Sequence, residues 1–222
     1  MHLQVAEQVE AFYNDHPFPD FDLDKYNTQA DLRNQASWYF KILDAYIPDD
    51  ASIIEIGCGT GQLVNFLALK PNRKVMGLDL TPASLNKARQ LRDKIGIKNL
   101  TLHKRDIFEV STENTGLFQY TFCNGVLHHT HDPYLAFLSI LKVVRPMGFL
   151  TVGFYNTLGR IPLQIVKAQI NKSKKYTLNQ KKKFLGRLFT VSEFDDKQTD
   201  SWFADQFLHP QSPFLQLLKL PH

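Results

Sequence analysis

Three alternating glycines follow a short apolar run in the segment IIEIGCGTGQL, residues 53–63. Gly57, Gly59 and Gly61 each weaken regular structure, so their positions need a reason. Either a ligand comes too close for side chains, or a strand and a helix pack tightly there. The spacing is not the G-x-G-x-x-G of a dinucleotide site, because Gln62 stands at the last glycine position. No Lys-Ser or Lys-Thr pair follows, so the segment is not a P-loop either.

Two acidic residues stand at the ends of the next two predicted strands. Asp79 ends the second strand and Asp106 the third. A carboxylate at the first position accepts hydrogen bonds from ribose hydroxyls, and one at the second could bind the amino group of an adenine. Each acid alone is equally well explained as a helix N-cap or a turn residue. Together with the glycine turn, they predict a nucleoside site at this edge of a sheet.

A cluster of histidines follows the fourth predicted strand, in LHHTHDP at 127–133. His129 is the first candidate to accept a proton during a reaction, and His128 is the second. The alternative is a loop whose histidines only cap or hydrogen-bond. No further set of metal ligands accompanies them, so we predict no metal site.

Strands and helices alternate regularly from residue 51 onward. Before that point, apolar spacing predicts helices over 2–14 and 29–47, the second ending at Pro48. The later elements are strands 52–56, 74–80, 100–106, 118–126 and 149–156, helices 61–70, 81–96 and 132–144, and a turn at 145–148. This order predicts an α/β fold with a doubly wound, mostly parallel sheet, whose ligands bind beyond the carboxyl ends of the strands.

The chain divides into three predicted regions. A helical extension over 1–50 precedes a core over 51–156, and a helical, Lys-rich region follows over 157–222. Within the extension, Tyr13 and His16 are candidates for a lid over the site, with a plain surface turn as the alternative. Tyr155, at the end of the fifth strand, is a candidate substrate contact.

Composition predicts a cytoplasmic protein. Of the 222 residues, 43% are hydrophobic, and no apolar run reaches the ~18–20 residues that cross a membrane. The two cysteines, Cys58 and Cys123, form no disulfide framework, which suits a reducing compartment. Eight Lys or Arg residues and no Asp or Glu lie between Lys167 and Arg187. Such a block is either a solvated helix face or a patch for an acidic partner such as nucleic acid.

Residues 52–155 resemble the core of class I S-adenosylmethionine-dependent methyltransferases. The matching segments are IIEIGCGTG, GLDLTPASLNKAR, RDI, CNGVLHHTHDP and LKVVRPMGFLTVGFYN. Each is weak alone, but the set in this order is specific. The N-terminal FYNDHPFPDFD resembles an uncharacterised bacterial subgroup of this family that carries an F-Y-x-x-x-P-F-P segment. The resemblance implies a Rossmann-like fold with S-adenosylmethionine as methyl donor.

The resemblance also implies roles for individual residues. Glu55 and Gly57 lie by the amino group of the methionine moiety, and Asn124 lies near the sulfonium. Asp79, followed by Leu80, holds the ribose. The other residues implied to contact the cofactor form the backbone wall close to it and the adenine pocket. They are Gly57, Cys58, Gly59, Gly61, Asp106 and Ile107. In relatives, the histidine corresponding to His129 often points toward the methyl group, which makes it the first candidate general base.

The end of the chain departs from the family pattern. The class I core has seven strands, the last two forming a hairpin beside the fifth. No alternating pair of strands with a turn is legible after residue 156, so we predict that the hairpin is missing. The fifth strand is then an edge, or is covered by the C-terminal segment, and an uncovered edge favours self-association.

Three functions are compatible with these patterns. The first is methyl transfer to an unidentified small or macromolecular acceptor. The second is a non-catalytic S-adenosylmethionine-binding protein, truncated or regulatory. The third, a nucleotide-dependent oxidoreductase, is disfavoured by Gln62 at the last glycine position of the dinucleotide motif.

Overall fold

The central element is a parallel β-sheet. The structure is a computed structural model, and it describes residues 2–155, 161, 163–168 and 180. Within these residues five strands lie in the order β3-β2-β1-β4-β5, and every neighbouring pair is parallel. The strands are β1 Ser52–Ile56, β2 Lys74–Asp79, β3 Leu100–Lys104, β4 Phe118–Asn124 and β5 Val144–Gly153. The predicted α/β fold class is therefore confirmed.

Helices cover both faces of the sheet. They are α1 His2–Asp15, α2 Gln29–Gln35, α3 Trp38–Tyr46, α4 Gln62–Leu67, α5 Pro82–Lys94, α6 Thr112–Thr115 and α7 Pro133–Leu141. Ile53 and Ile54 are both fully buried, and they belong to two separate clusters of core residues. Because successive strand residues point to opposite faces, the two clusters are the two sides of a doubly wound sheet. Among the described helices, none combines the length and apolar character that crossing a membrane requires.

The single helix predicted over 29–47 is wrong, because the structure has two helices there. Ala36 is extended, with φ −63° and ψ 138°, and interrupts the helical pattern. Ser37 then caps α3 by accepting a hydrogen bond from the Phe40 backbone N–H at 3.2 Å. The capping bond satisfies a backbone donor that the first turn of a helix leaves unpaired. A serine inside an apolar helical pattern was the available signal.

Strand β5 is longer and less regular than predicted. Its register shifts between the pairs Phe118↔Val144 and Tyr120↔Phe149, so that β5 carries the extra residues. The predicted turn at 145–148 is this irregularity inside the strand, and Met147 adopts a positive φ of 62°.

In the described part of the chain, β5 pairs with β4 alone and lies at the edge of the sheet. The prediction of a missing hairpin falls outside the described residues, as does most of the basic block. Covering of the edge by the C-terminal segment, and self-association through it, remain predictions.

A fully buried arginine joins α3 to the sheet. The Arg73 guanidinium donates to the Asp44 carboxylate at 2.6 Å. It also donates to four carbonyl oxygens, those of Asp44, Ile47, Pro48 and Leu67, at 2.6–3.2 Å. The accepting groups of Asp44, Ile47 and Pro48 lie in the last turn of α3 and in its connection to β1. The carbonyl of Leu67 belongs to the last residue of α4. One side chain thus satisfies the C-terminal carbonyls of two helices that have no partner within their own helix.

Candidate functional site

A cavity of about 590 Å³ opens at the carboxyl ends of the strands. It lies where the order of the sheet reverses between β1 and β4, the point at which parallel sheets of this kind bind ligands. The structure brings twelve of the predicted site residues to its walls. They are Tyr13, Glu55, Gly57, Cys58, Gly59, Asp79, Leu80, Asp106, Ile107, Asn124, His129 and Tyr155.

The glycine turn after β1 is held by the neighbouring strand. Gly57 and Cys58 both donate their backbone N–H groups to the carbonyl of Leu78, at 2.7 and 2.9 Å. The φ angles of Gly57 and Gly61 are 74° and 75°, a region that side chains disfavour. A Cβ at Gly61 would stand 2.5 Å from the Cβ of Ala88.

Tight packing therefore accounts for Gly61, which does not line the cavity. Its carbonyl also accepts a hydrogen bond from the buried Asn65 side chain at 2.8 Å, which fixes the start of α4 against α5. The tight-packing alternative therefore explains Gly61, and the cofactor contact that the resemblance implies for it stays a prediction. The atoms that would crowd a side chain here belong to the protein.

The N-terminal segment sits directly on this turn. A Cβ at Gly59 would lie 2.3 Å from the carbonyl oxygen of Phe18. The hydroxyl of Thr60, the next residue, donates to the carbonyl of Pro19 at 2.6 Å. Gly59 is thus needed for the approach of the protein's own backbone, and Phe18 and Pro19 become part of the cavity wall.

Asp79 organises the turn from the end of β2. One carboxylate oxygen accepts the Gly59 N–H at 2.7 Å, and the other accepts the N–H and hydroxyl of Thr81 at 2.8 and 2.6 Å. Thr81 occupies the N-cap position of α5, but its side chain bonds to Asp79 and makes no capping bond. Burial raises the pKa of Asp79, and these hydrogen bonds oppose the rise.

Glu55 is a buried carboxyl group that faces the cavity. Only 8% of it is exposed, and among the described residues its Oε2 has no hydrogen-bond partner. Burial, and then the nearby charge of Asp79, raise the pKa of Glu55 to about 8, while a Val64 N–H opposes the rise. Burial and the same two carboxylates raise the pKa of Cys58, which keeps it a thiol. A cavity with two buried carboxyl groups is suited to a positively charged ligand group.

The raised pKa of Glu55 predicts a pH-dependent stability. Because the folded pKa, about 8, lies above the ordinary 4.5, folding binds a proton, and this contribution is lost as pH rises from 4.5 through 8. Glu55→Gln should remove this part of the pH dependence. The free energy of unfolding, measured by urea denaturation at about pH 5 and about pH 8, should fall less for the variant than for the parent. Equal falls would contradict the assignment of the raised pKa to Glu55.

Asp106 and Ile107, the residues predicted to hold the adenine, line the cavity. Asp106 caps a short 3-10 helix over Ile107–Glu109, because its Oδ1 accepts the Phe108 N–H at 3.0 Å. The N-cap alternative is therefore correct for one oxygen, while the residue still lines the cavity. Arg105 and Phe108, which the sequence did not single out, line it as well.

The histidine cluster divides between the cavity and the core. His129 lines the cavity, whereas His128 is fully buried and does not. Their ring centroids lie 4.2 Å apart, and His128 lies 4.3 Å from the ring of Tyr155. The buried ring of His128 therefore packs against the rings of His129 and Tyr155. In the described part of the chain, no group of three His, Cys, Asp or Glu residues has the arrangement of a metal site.

Helix α1 covers the end of the cavity next to His129. Val5, Val9 and Tyr13 line it from this helix, and the Tyr13 ring lies 6.2 Å from that of His129, edge to face. Glu10 pairs with Lys104, and the Ala83 N–H donates to the Asn14 side chain, which together fasten α1 to the core. His16 does not line the cavity and packs against Phe12.

Sequence reasoning also missed Tyr39, a polar residue of the cavity at the start of α3. It lines the cavity, and its phenol hydrogen-bonds to the side chain of Asn124. Tyr39 falls inside the single helix predicted over 29–47, which the extended residue Ala36 interrupts in the structure. The capping serine at 37 was the only signal that could have revealed its position.

The chain matches the family described as Methyltransferase domain over residues 47–212. Similar curated proteins include an uncharacterised protein of Synechococcus, 25% identical over 75% of this chain and 41% of its own length. A ubiquinone biosynthesis O-methyltransferase of Colwellia psychrerythraea is 32% identical over 50% of this chain and 43% of its own length. This chain thus spans less than half the length of these relatives.

Among solved structures, PKMT2 from Rickettsia typhi in complex with AdoHcy has a TM-score of 0.55. It is 21% identical, and the match covers 72% of this chain and 32% of that one. The likeness shows that the two share a fold. Because the family match spans well over half of the sequence, the chain belongs to the methyltransferase-domain family.

Proposed function

We propose that this chain transfers a methyl group from S-adenosylmethionine to a small acceptor enclosed beneath α1. The observation that carries the proposal is one continuous cavity, which runs from Asp79 past Glu55 to His129 and Tyr13. The first part of this path suits a nucleoside with a charged amino-acid group. The second part leaves room for an acceptor next to an ionisable side chain.

The residues present fit S-adenosylmethionine. The Oε2 atom of Glu55 lacks a hydrogen-bond partner among the described residues, and a carboxylate there can accept from the amino group of the methionine moiety. Asp79 lies at the strand end where a ribose is held, and Asp106 and Ile107 lie farther along the same wall. These assignments make the Glu55 side the methionine end of the site.

The chemistry requires the chain to align the acceptor and take its proton. When bound, S-adenosylmethionine supplies an electrophilic methyl group, whose bond to sulfur breaks as the acceptor's oxygen or nitrogen attacks the carbon. Alignment of the acceptor can supply ~7–11 kcal/mol of the barrier. His129 accepts the acceptor's proton, a contribution of about 10²–10⁴-fold.

The lining of the acceptor end supports a small and partly apolar acceptor. Val5, Val9, Tyr13 and Tyr155 present aliphatic and aromatic surface around His129. Because α1 lies across this end, a folded protein or a duplex could not reach His129 without displacing the helix. The printed name of the Colwellia relative, a ubiquinone biosynthesis O-methyltransferase, makes phenols the first acceptors to test.

The test is transfer of a labelled methyl group from S-adenosylmethionine into a fractionated cell extract. We expect the label in the small-molecule fraction, and we expect His129→Gln to lower the rate by about 10²-fold or more. The variant should still bind S-adenosylhomocysteine as the parent does. Label in protein or nucleic acid would overturn the small acceptor. Binding of S-adenosylhomocysteine without any transfer, over a panel of extracts and phenols, would favour the non-catalytic alternative.

A further inference from the structure

Tyr39 reaches the cofactor site from outside the sheet. It is the second residue of α3, and it lines the cavity at the carboxyl ends of the strands. These two strands end near Glu55 and at Asn124, and they are neighbours in the sheet. Tyr39 therefore lines the same cavity as Glu55 and Asn124, and it hydrogen-bonds to the Asn124 side chain.

The phenol of Tyr39 can make a hydrogen bond in addition to the one with the Asn124 side chain. Burial raises the pKa of Tyr39, the bond with the Asn124 side chain lowers it, and the charge of Glu55 raises it. A phenol both donates and accepts, and an amide can donate to it through Nδ2. In that arrangement the Tyr39 O–H can donate to a further acceptor.

Glu55 can accept a hydrogen bond, whereas the phenol can donate one. One side of its carboxyl group receives the Val64 N–H, and Oε2 has no hydrogen-bond partner among the described residues. The site therefore presents a phenol hydroxyl and a carboxyl group whose Oε2 can accept from a cation when it is ionised. An α-amino acid group carries the matching pair, an ammonium that donates and a carboxylate that accepts.

We propose that Tyr39 recognises the carboxylate of the cofactor's amino-acid group, while Glu55 accepts from its ammonium. The Asn124 amide orients the phenol by donating to its oxygen, so the O–H points into the cavity. Helix α3 thereby contributes to cofactor selection, although it lies outside the parallel sheet. The inference rests on the methyl donor and is independent of the acceptor's identity.

The test compares two ligands that differ in the amino-acid group. S-Adenosylhomocysteine carries it, and 5′-methylthioadenosine has the same adenosine and thioether without it. Isothermal titration of the parent and of Tyr39→Phe gives the loss of affinity for each ligand. Tyr46→Phe is the matched control, since Tyr46 lies on the same helix, is 83% exposed and does not line the cavity.

We expect Tyr39→Phe to weaken S-adenosylhomocysteine about 10-fold or more, the loss of one hydrogen bond to a charged group. Its affinity for 5′-methylthioadenosine should stay within about twofold of the parent's, as should both affinities of Tyr46→Phe. Equal losses for the two ligands would mean that the phenol only shapes the cavity, and would overturn the proposal. Unchanged binding of both would also overturn it. A parent that binds neither ligand would instead contradict the cofactor assignment itself.

Discussion

Replacing Arg73 with methionine is expected to lower the free energy of unfolding by about 3–5 kcal/mol. The guanidinium is fully buried and holds the Asp44 carboxylate, of which only 16% is exposed. Methionine fills much of the same volume but donates no hydrogen bond. The variant therefore removes the hydrogen-bonded partner of a largely buried carboxylate, which keeps only the 3.7 Å ion pair with Arg33 among the described residues. It also leaves the carbonyls at the ends of α3 and α4 without this donor. Urea denaturation followed by circular dichroism measures the loss.

A control separates this effect from a general cost of substitution. Lys74, the next residue, is exposed at the start of β2. Lys74→Met should change the free energy of unfolding by no more than about 0.5 kcal/mol. If Arg73→Met were as stable as Lys74→Met, the hydrogen bonds of Arg73 would contribute little to the fold. Arg73→Lys should lie between the two, because an ammonium keeps the charge but cannot reach all the carbonyls.

The sheet could be predicted from the sequence because its signals are local. Buried strands such as β1 read as short apolar runs, and the alternation with helices determines that they pair in parallel. Helices α5 and α7 begin one residue after their predicted starts at 81 and 132, and each has a proline in its first turn. In these elements the residue pattern, the capping residue and the tertiary packing agree.

The features that sequence reasoning missed depend on distant partners or on short interruptions. Arg73 reads as one more surface cation until α3 and α4 converge on it. The break between α2 and α3 involves two residues, Ala36 and Ser37, within an otherwise continuous apolar spacing. The extra residues of β5 around Met147 look like a turn, because a bulge and a turn use the same residue types.

The candidate site was predictable as far as it follows the strands. Glu55, Asp79 and Asn124 line one cavity because parallel strands bring their carboxyl ends to one edge. Tyr39 was not predictable, since its place depends on how α3 crosses that edge. The split between His128 and His129 also needed the structure, because adjacent residues of a short helical turn face different surroundings.

Asp79→Ala is expected to weaken binding of S-adenosylhomocysteine at least about 100-fold. If the carboxylate accepts from both ribose hydroxyls, two hydrogen bonds to a charged group are lost, each worth about 1.5–3 kcal/mol. The same change leaves the N–H groups of Gly59 and Thr81 without their acceptor. The turn that carries Gly57 and Gly59 is then less well held, which adds to the loss. Isothermal titration gives the affinities, and circular dichroism checks that the variant is folded.

Two further variants identify the cause of the effect. Thr81→Val removes one hydrogen bond to Asp79 but keeps the carboxylate, so cofactor affinity should fall by less than about 10-fold. Asp93→Ala removes an exposed acid from the last turn of α5 and should leave binding unchanged. If a folded Asp79→Ala protein bound as tightly as Asp93→Ala, Asp79 would not hold the ribose. If Thr81→Val lost as much affinity as Asp79→Ala, the carboxylate would act only by shaping the turn.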